Sequence, residues 1–102
     1  MDIQLKKGLL DICVLKCLAT ENSYGYKILS DMSKYMEISE STLYPILKRL
    51  EENKCLDIYE EEHNGRKRKY YRLTEKGKTK LAEFKVEYKK LQKIIKFILG
   101  GS

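Results

Sequence analysis

Four leucine-type residues and one proline constrain this chain more than anything else in it. Between Ser39 and Glu51 the sequence runs Ser-Glu-Ser-Thr-Leu-Tyr-Pro-Ile-Leu-Lys-Arg-Leu-Glu. At about 100° per residue, Leu43, Ile46, Leu47 and Leu50 fall on one side of a helix and must pack inward. Ser41, Pro45, Lys48 and Glu52 fall on the opposite side, with Thr42, Tyr44 and Arg49 on the flanks. Pro45 lacks a backbone donor and crowds the carbonyl one turn before it, so it belongs within the first two turns and limits where the helix starts. Ser39 or Ser41 supplies the N-cap. The outer face offers hydroxyls, a phenol and cations, the groups that meet phosphate oxygens and base edges. The unpaired N–H groups of the first turn suit an anion. An ordinary amphipathic helix with a solvated polar face fits this stretch alone equally well, so its neighbours decide.

Before it lie two helical segments. Ile3 to Ala19 is apolar around most of its circumference, which predicts a central helix covered on several sides. Thr20-Glu21-Asn22-Ser23 is a turn by composition. Tyr24 to Met32 is a shorter helix with Tyr24, Ile28 and Met32 at four-residue spacing, and Tyr24 is expected to pack in the core. Gly25 either permits close backbone approach or weakens the helix. Tyr35 to Ile38 turns the chain into the presented helix. Helix, short turn and exposed helix make a helix-turn-helix arrangement.

After it, Asn53 is the best residue for a left-handed helix cap, in the absence of glycine. Cys55 to Glu61 predicts a strand with Leu56 and Ile58 inward. Asn64-Gly65, within the turn Glu62 to Gly65, is a strong hairpin signal. Arg66-Lys67-Arg68-Lys69-Tyr70-Tyr71-Arg72-Leu73 is the return strand, with Tyr71 and Leu73 inward. Its opening run of four cations contains no carboxylate. A basic hairpin directly after a helix-turn-helix is a wing, whereas a merely solvated hairpin would need no such run. The excess of 21 Lys and Arg over 15 Asp and Glu, +6 in all, agrees with a polyanionic partner.

Thr74 caps a last helix from Glu75 to about Leu99. Leu81, Phe84, Tyr88, Leu91, Ile95 and Ile98 recur at spacings of three and four, an a/d seam over more than two heptads. Such a helix outruns a small core, and its seam pairs with an identical chain, packs back on the first helix, or does each along a different part. Gly100-Gly101-Ser102 is expected to be flexible. At 102 residues the chain forms one structural domain. It divides into a winged helix-turn-helix DNA-binding part (1–74) and a dimerisation helix (75–102). The fold class is mainly α with a small β-hairpin.

Cys13, Cys17 and Cys55 are odd in number and form no CxxC pair, so reduced core thiols in a cytoplasmic protein are expected, with no metal site and no cofactor. Leu9 to Ala19, broken by Asp11 and Lys16, is too short for a membrane span and a poor secretory signal despite Lys6 and Lys7.

The joined motifs resemble the PadR-like family of bacterial transcriptional regulators. The residues that carry the likeness are Tyr24-Gly25-Tyr26, Ser41-Thr42-Leu43-Tyr44-Pro45 with Leu47, Arg49, Leu50 and Glu51, then Gly65-Arg66 and Lys69-Tyr70-Tyr71, and Leu73-Thr74-Glu75-Lys76-Gly77. Thr-Leu-Tyr-Pro is the specific element; the Leu-Thr-x-x-Gly junction is common to many winged helices. The length and single C-terminal helix are similar to the shorter subfamily. The resemblance implies a homodimeric winged-helix repressor on operator DNA, released in some members by a small aromatic or drug-like effector. Lys54 departs from the family, which usually has glycine there. The chain has no tryptophan, so a drug site of stacked indoles is not implied.

The expected DNA-contacting residues are Tyr26, Lys27, Ser39, Ser41, Thr42, Tyr44, Pro45, Lys48, Arg49, Gly65, Arg66, Lys67, Arg68 and Lys69. The partners expected are double-stranded DNA with an inverted-repeat operator, a second copy of the chain through the seam, and an aromatic effector lined by Phe84, Tyr88 and Phe97. A winged helix serving only as a protein-interaction module is the alternative, and a mobility-shift assay separates the two. No Ser/His, Cys/His or carboxylate constellation and no Gly-rich phosphate loop supports an enzyme.

Overall fold

A computed structural model describes residues 3–100; Gly101 and Ser102, part of the expected flexible end, lie outside them. Four helices and three strands follow in the order α1 (Ile3–Cys17), β1 (Ser23–Tyr24), α2 (Gly25–Ser33), α3 (Glu40–Glu52), β2 (Leu56–His63), β3 (Arg66–Leu73) and α4 (Glu75–Ile98). The antiparallel sheet has the order β1-β3-β2. The core is built as the apolar spacing requires. Leu43, Ile46, Leu47 and Leu50 of α3 are all buried, against Leu10, Val14 and Leu15 of α1, Leu18 just after it, and Ile28 and Met32 of α2. Leu56, Tyr71 and Leu73 close it from the sheet, and Leu81 from α4.

Two expectations about the first helices change. The helix α1 is covered mainly on one side: Leu9, Ile12, Cys13 and Cys17 line an open cleft, and Leu5 is exposed. Tyr24 is not a core residue of α2. It sits in β1, paired with Tyr70, where its ring meets the Tyr70 ring edge-on at 5.5 Å. Gly25 then opens α2, and the Tyr44 ring lies against it so closely that a Cβ there would come within 2.6 Å of the Tyr44 hydroxyl. Close approach, not helix weakening, is the role of this glycine.

The corner after α3 also differs. Asn53 keeps a negative φ of −83°, and Lys54 takes the left-handed conformation at φ 65°. Lys54 N–H donates to the Glu51 carbonyl (2.9 Å) and Cys55 N–H to the Leu50 carbonyl (2.8 Å). These two bonds are the Schellman pattern, with the buried Leu50 and Cys55 as its apolar pair. A lysine thus holds the conformation that glycine adopts without steric cost. Lys54→Gly should raise stability by about 1 kcal/mol, the left-handed penalty less the extra freedom of unfolded glycine. Thermal or urea unfolding checks this, and a lower midpoint in the variant would contradict it.

The hairpin turn is a two-residue one, with Asn64 at φ 52° and Gly65 at φ 78°, so β2 runs two residues further than the composition of the turn suggests. At the far end of β3, the Thr74 hydroxyl accepts from Gly77 N–H (3.1 Å) and donates to the Lys54 carbonyl (2.6 Å). Gly77 packs against the Cys55 carbonyl with no room for a Cβ. The start of α4 is therefore locked to the corner that follows α3. Beyond Phe84, α4 leaves the core, and the molecule measures 58 Å along its longest axis against 28 and 21 Å across. Among the described residues no helix is long and apolar enough to cross a membrane.

Candidate nucleic-acid interface

The start of α2, Tyr44 of α3 and the hairpin line a groove of about 610 Å³, and the exposed side of α3 lies outside it. Burying the Leu43–Leu50 stripe forces the opposite face of α3 outward, so Ser41, Thr42, Pro45 and Lys48 are all exposed at the surface. Tyr44 is 45 % exposed on the edge of α3 and lines the groove beside Gly25 and Tyr26. Arg66, Lys67, Arg68 and Lys69 line it from the wing, with His63, Asn64 and Tyr71. Burial, with Tyr44 and Glu51 nearby, holds the Tyr71 phenol above its ordinary range, so it remains neutral. Ser39 occupies the N-cap position, but its hydroxyl bonds to those of Ser41 (2.9 Å) and Thr42 (3.3 Å) rather than to a backbone N–H. Three hydroxyls are thus gathered at the outward start of α3.

Ion pairing sorts the cations. Among the described residues, Lys48, Arg66, Lys67, Arg68 and Lys69 have no carboxylate within ion-pair distance. Two other expected DNA contacts are engaged elsewhere. Arg49 is paired with Asp11 of α1, which ties α3 to the first helix. Lys27 reaches Glu21 (2.9 Å) and Asp31 (3.4 Å) on the side of the molecule that faces the α1 cleft. The hydrogen bond to Glu21, then that to Asp31, raises its pKa above the ordinary lysine range. Neither residue lines the groove. Gly65 acts through the turn, where its positive φ brings Arg66 back along β3.

The wing carries more negative charge than its cation run suggests. The register sets Glu60 opposite Lys69, Glu61 opposite Arg68 and Glu62 opposite Lys67. These pairs lie side by side across the ladder without closing into ion pairs. On the outer face of the sheet the Arg68 guanidinium lies 4.1 Å from the centre of the Tyr24 ring, and Arg72 lies 5.1 Å from that of Tyr59. Tyr59 and Tyr70 stack at 5.5 Å, and the Tyr70 hydroxyl meets His63 Nε2 at 3.0 Å. This ladder of rings stiffens the hairpin and attaches it to β1.

The α4 seam divides. Leu81 is buried and Phe84 half-buried against their own chain, whereas Tyr88, Leu91, Ile95 and Ile98 are exposed, Ile98 by 69 %. The expected effector residues do not meet within one chain. Phe84 lines the α1 cleft and stacks on Tyr88 at 6.0 Å, but Phe97 lies thirteen residues further on, about 20 Å along the helix. Among the described residues no group of three His, Cys, Asp or Glu stands together as a metal site.

Comparison with known proteins agrees with this architecture. The transcriptional regulator PadR-like family matches residues 14–83. An uncharacterized protein of Lysinibacillus sphaericus is 34 % identical over 100 residues, covering 93 % of this chain and 92 % of that protein. The crystal structure of a PadR family transcription regulator from Clostridium difficile R20291 superposes with a TM-score of 0.84 at 33 % identity, over 89 % of this chain and 98 % of that one. A PadR-like transcriptional regulator from Bacillus cereus superposes with a TM-score of 0.86 at 32 % identity, over 97 % and 99 %. With its winged helix and these relatives, the chain belongs to the PadR-like family of transcriptional regulators.

Proposed function

We propose that this protein is a sequence-specific DNA-binding repressor that acts as a homodimer. Residues 1–74 form the DNA-binding part, and the C-terminal part from residue 75 on pairs two copies through α4. The observation that carries the reading is the groove between Tyr44 and the wing, lined by four cations that close no ion pair among the described residues, while Lys27 and Arg49 outside it are paired. In this reading α3 enters the major groove with Ser41, Thr42, Tyr44 and Lys48 toward base edges and adjacent phosphates. The wing lies along the neighbouring backbone or minor groove through Arg66 to Lys69. Lys27 and Arg49 act indirectly, by holding α2 and α3 to the rest of the fold.

Titration of the labelled protein with a DNA duplex, followed by backbone amide shifts, tests this assignment. The expected perturbations concentrate at residues 39–48 and 63–69. Amides around Lys34 and along α4 beyond Tyr88 should move little. Shifts confined to α4, or none at all, would contradict DNA binding through the groove and favour a protein-interaction role.

A further inference from the structure

A second concavity, of about 480 Å³, lies away from the DNA groove between α1, α2 and α4. The chain has three cysteines and three methionines, and four of these six sulfur-bearing side chains line this one cleft. Cys13 and Cys17 come from α1. Met32 comes from α2, and Met36 from the turn after it. Nothing in DNA recognition calls on them. The two thiols stand one helical turn apart on one face, which sets their Cβ atoms about 5–6 Å from each other. Metal–sulfur bonds of about 2.3 Å let one ion bridge such a pair. Both thiols are free and half-buried, so the cleft reaches them.

We propose that this cleft is a binding site for a soft monovalent metal ion of the Cu(I) class, with Cys13 and Cys17 as its thiolate ligands and the thioether of Met36 as an additional donor. Thiolate and thioether sulfur together select soft ions over Mg²⁺, Ca²⁺ or Mn²⁺. Burial pushes both thiols up, and the Asp31 carboxylate raises Cys17 further, so both are protonated at neutral pH. Binding therefore breaks two Sγ–H bonds, forms two Sγ–metal bonds and releases two protons to solvent. The Lys27 ammonium, whose charge acts on Cys17 in the opposite sense to that of Asp31, offsets the second thiolate. An ion held here joins α1 to the surroundings of α2. Tyr26 and Lys27 are adjacent in the first turn of α2: Tyr26 lines the DNA groove and Lys27 lines the cleft. An ion that draws the Lys27 ammonium toward the new thiolate charge would turn the first turn of α2 and Tyr26 with it, so occupation of the cleft is expected to weaken DNA binding. That consequence rests on the DNA-binding reading; the metal site does not.

The reduced full chain is titrated with Ag(I) in chloride-free buffer, first without DNA. The expected result is one ion per chain, a sulfur-to-metal charge-transfer band in the ultraviolet, and two protons released. Cys13→Ala and Cys17→Ala should each release one proton instead of two, and Cys55→Ala should behave as the parent. Met36→Leu, which conserves volume, should keep the stoichiometry and weaken binding about tenfold. Unchanged binding and proton release in the two α1 variants, or transfer of the effect to Cys55, would overturn the site. With DNA present, saturating Ag(I) should lower affinity by about fivefold or more. Unchanged affinity for DNA in the metal-loaded protein would overturn the coupling. A protein that binds Ag(I) as described but no DNA would contradict the DNA-binding reading and leave the site standing.

Discussion

Leu91→Glu combined with Ile95→Glu should turn a dimer into a folded monomer and abolish specific DNA binding. Both side chains lie on the part of α4 that the chain's own core does not reach, so charge there costs the single-chain fold little. The neighbouring Tyr88, Ile94, Phe97, Ile98 and Leu99 are exposed as well, which makes a continuous apolar surface on one projecting helix. Burying a Leu, Ile or Phe side chain is worth roughly 1.5–3 kcal/mol relative to exposure. A surface of this kind on so small a chain marks an association site; in the proposed homodimer a two-fold axis would cover it with an identical helix, and two presented helices would then engage DNA together. The monomer keeps only weak, salt-sensitive binding, and affinity for a specific site should fall by about 1000-fold or more, the usual gap between specific and non-specific binding. Sedimentation and equilibrium DNA binding check the two halves of this expectation. A double variant that remains dimeric would place the interface elsewhere.

Replacing Arg66, Lys67, Arg68 and Lys69 together by alanine should weaken binding to every duplex and flatten its salt dependence. Each phosphate that a cation no longer neutralises takes about 0.9 from the slope of log K against log salt, or about 3.6 for four. Arg68 also covers the Tyr24 ring, so removing it loosens the attachment of β1 to the hairpin. The glutamates opposite the cations give a complementary expectation. Changing Glu60, Glu61 and Glu62 to glutamine should strengthen binding and leave the fold intact, because these side chains are exposed and close no ion pair with the facing cations. An unchanged salt slope in the alanine variant would remove the wing from the interface.

The parts of this fold that are legible in the sequence are those set by local rules. The period of Leu43, Ile46, Leu47 and Leu50 determines which face of α3 is buried, and Asn64-Gly65 determines the hairpin. Thr74 as a cap follows from its place before Glu75. The features without a local signature are tertiary. The strand β1 has two residues and no pattern of its own; it exists because Ser23 and Tyr24 can pair with Tyr71 and Tyr70. Lys54 adopts a conformation disfavoured for lysine because the Schellman bonds and the buried Leu50 and Cys55 outweigh the local penalty. Arg49 lies at the edge of the polar face of α3, but Asp11, 38 residues earlier, claims it. The facing glutamates were within reach of sequence reasoning: a two-residue turn at Asn64-Gly65 sets Glu62 opposite Lys67 and each earlier glutamate opposite the next cation. The gathering of Cys13, Cys17, Met32 and Met36 has no sequence signal, since separate segments contribute and their packing brings them together.

The central claim is that two copies of α3, held apart by paired α4 helices, read DNA. Selection of bound duplexes from a random pool, followed by sequencing, tests it most directly. The expected result is an inverted repeat whose half-site centres lie about 10 bp apart, or an integral number of helical turns, because the two helices must enter major grooves on one face of the duplex. Enrichment of a single unrepeated site, or of no sequence at all, would contradict it.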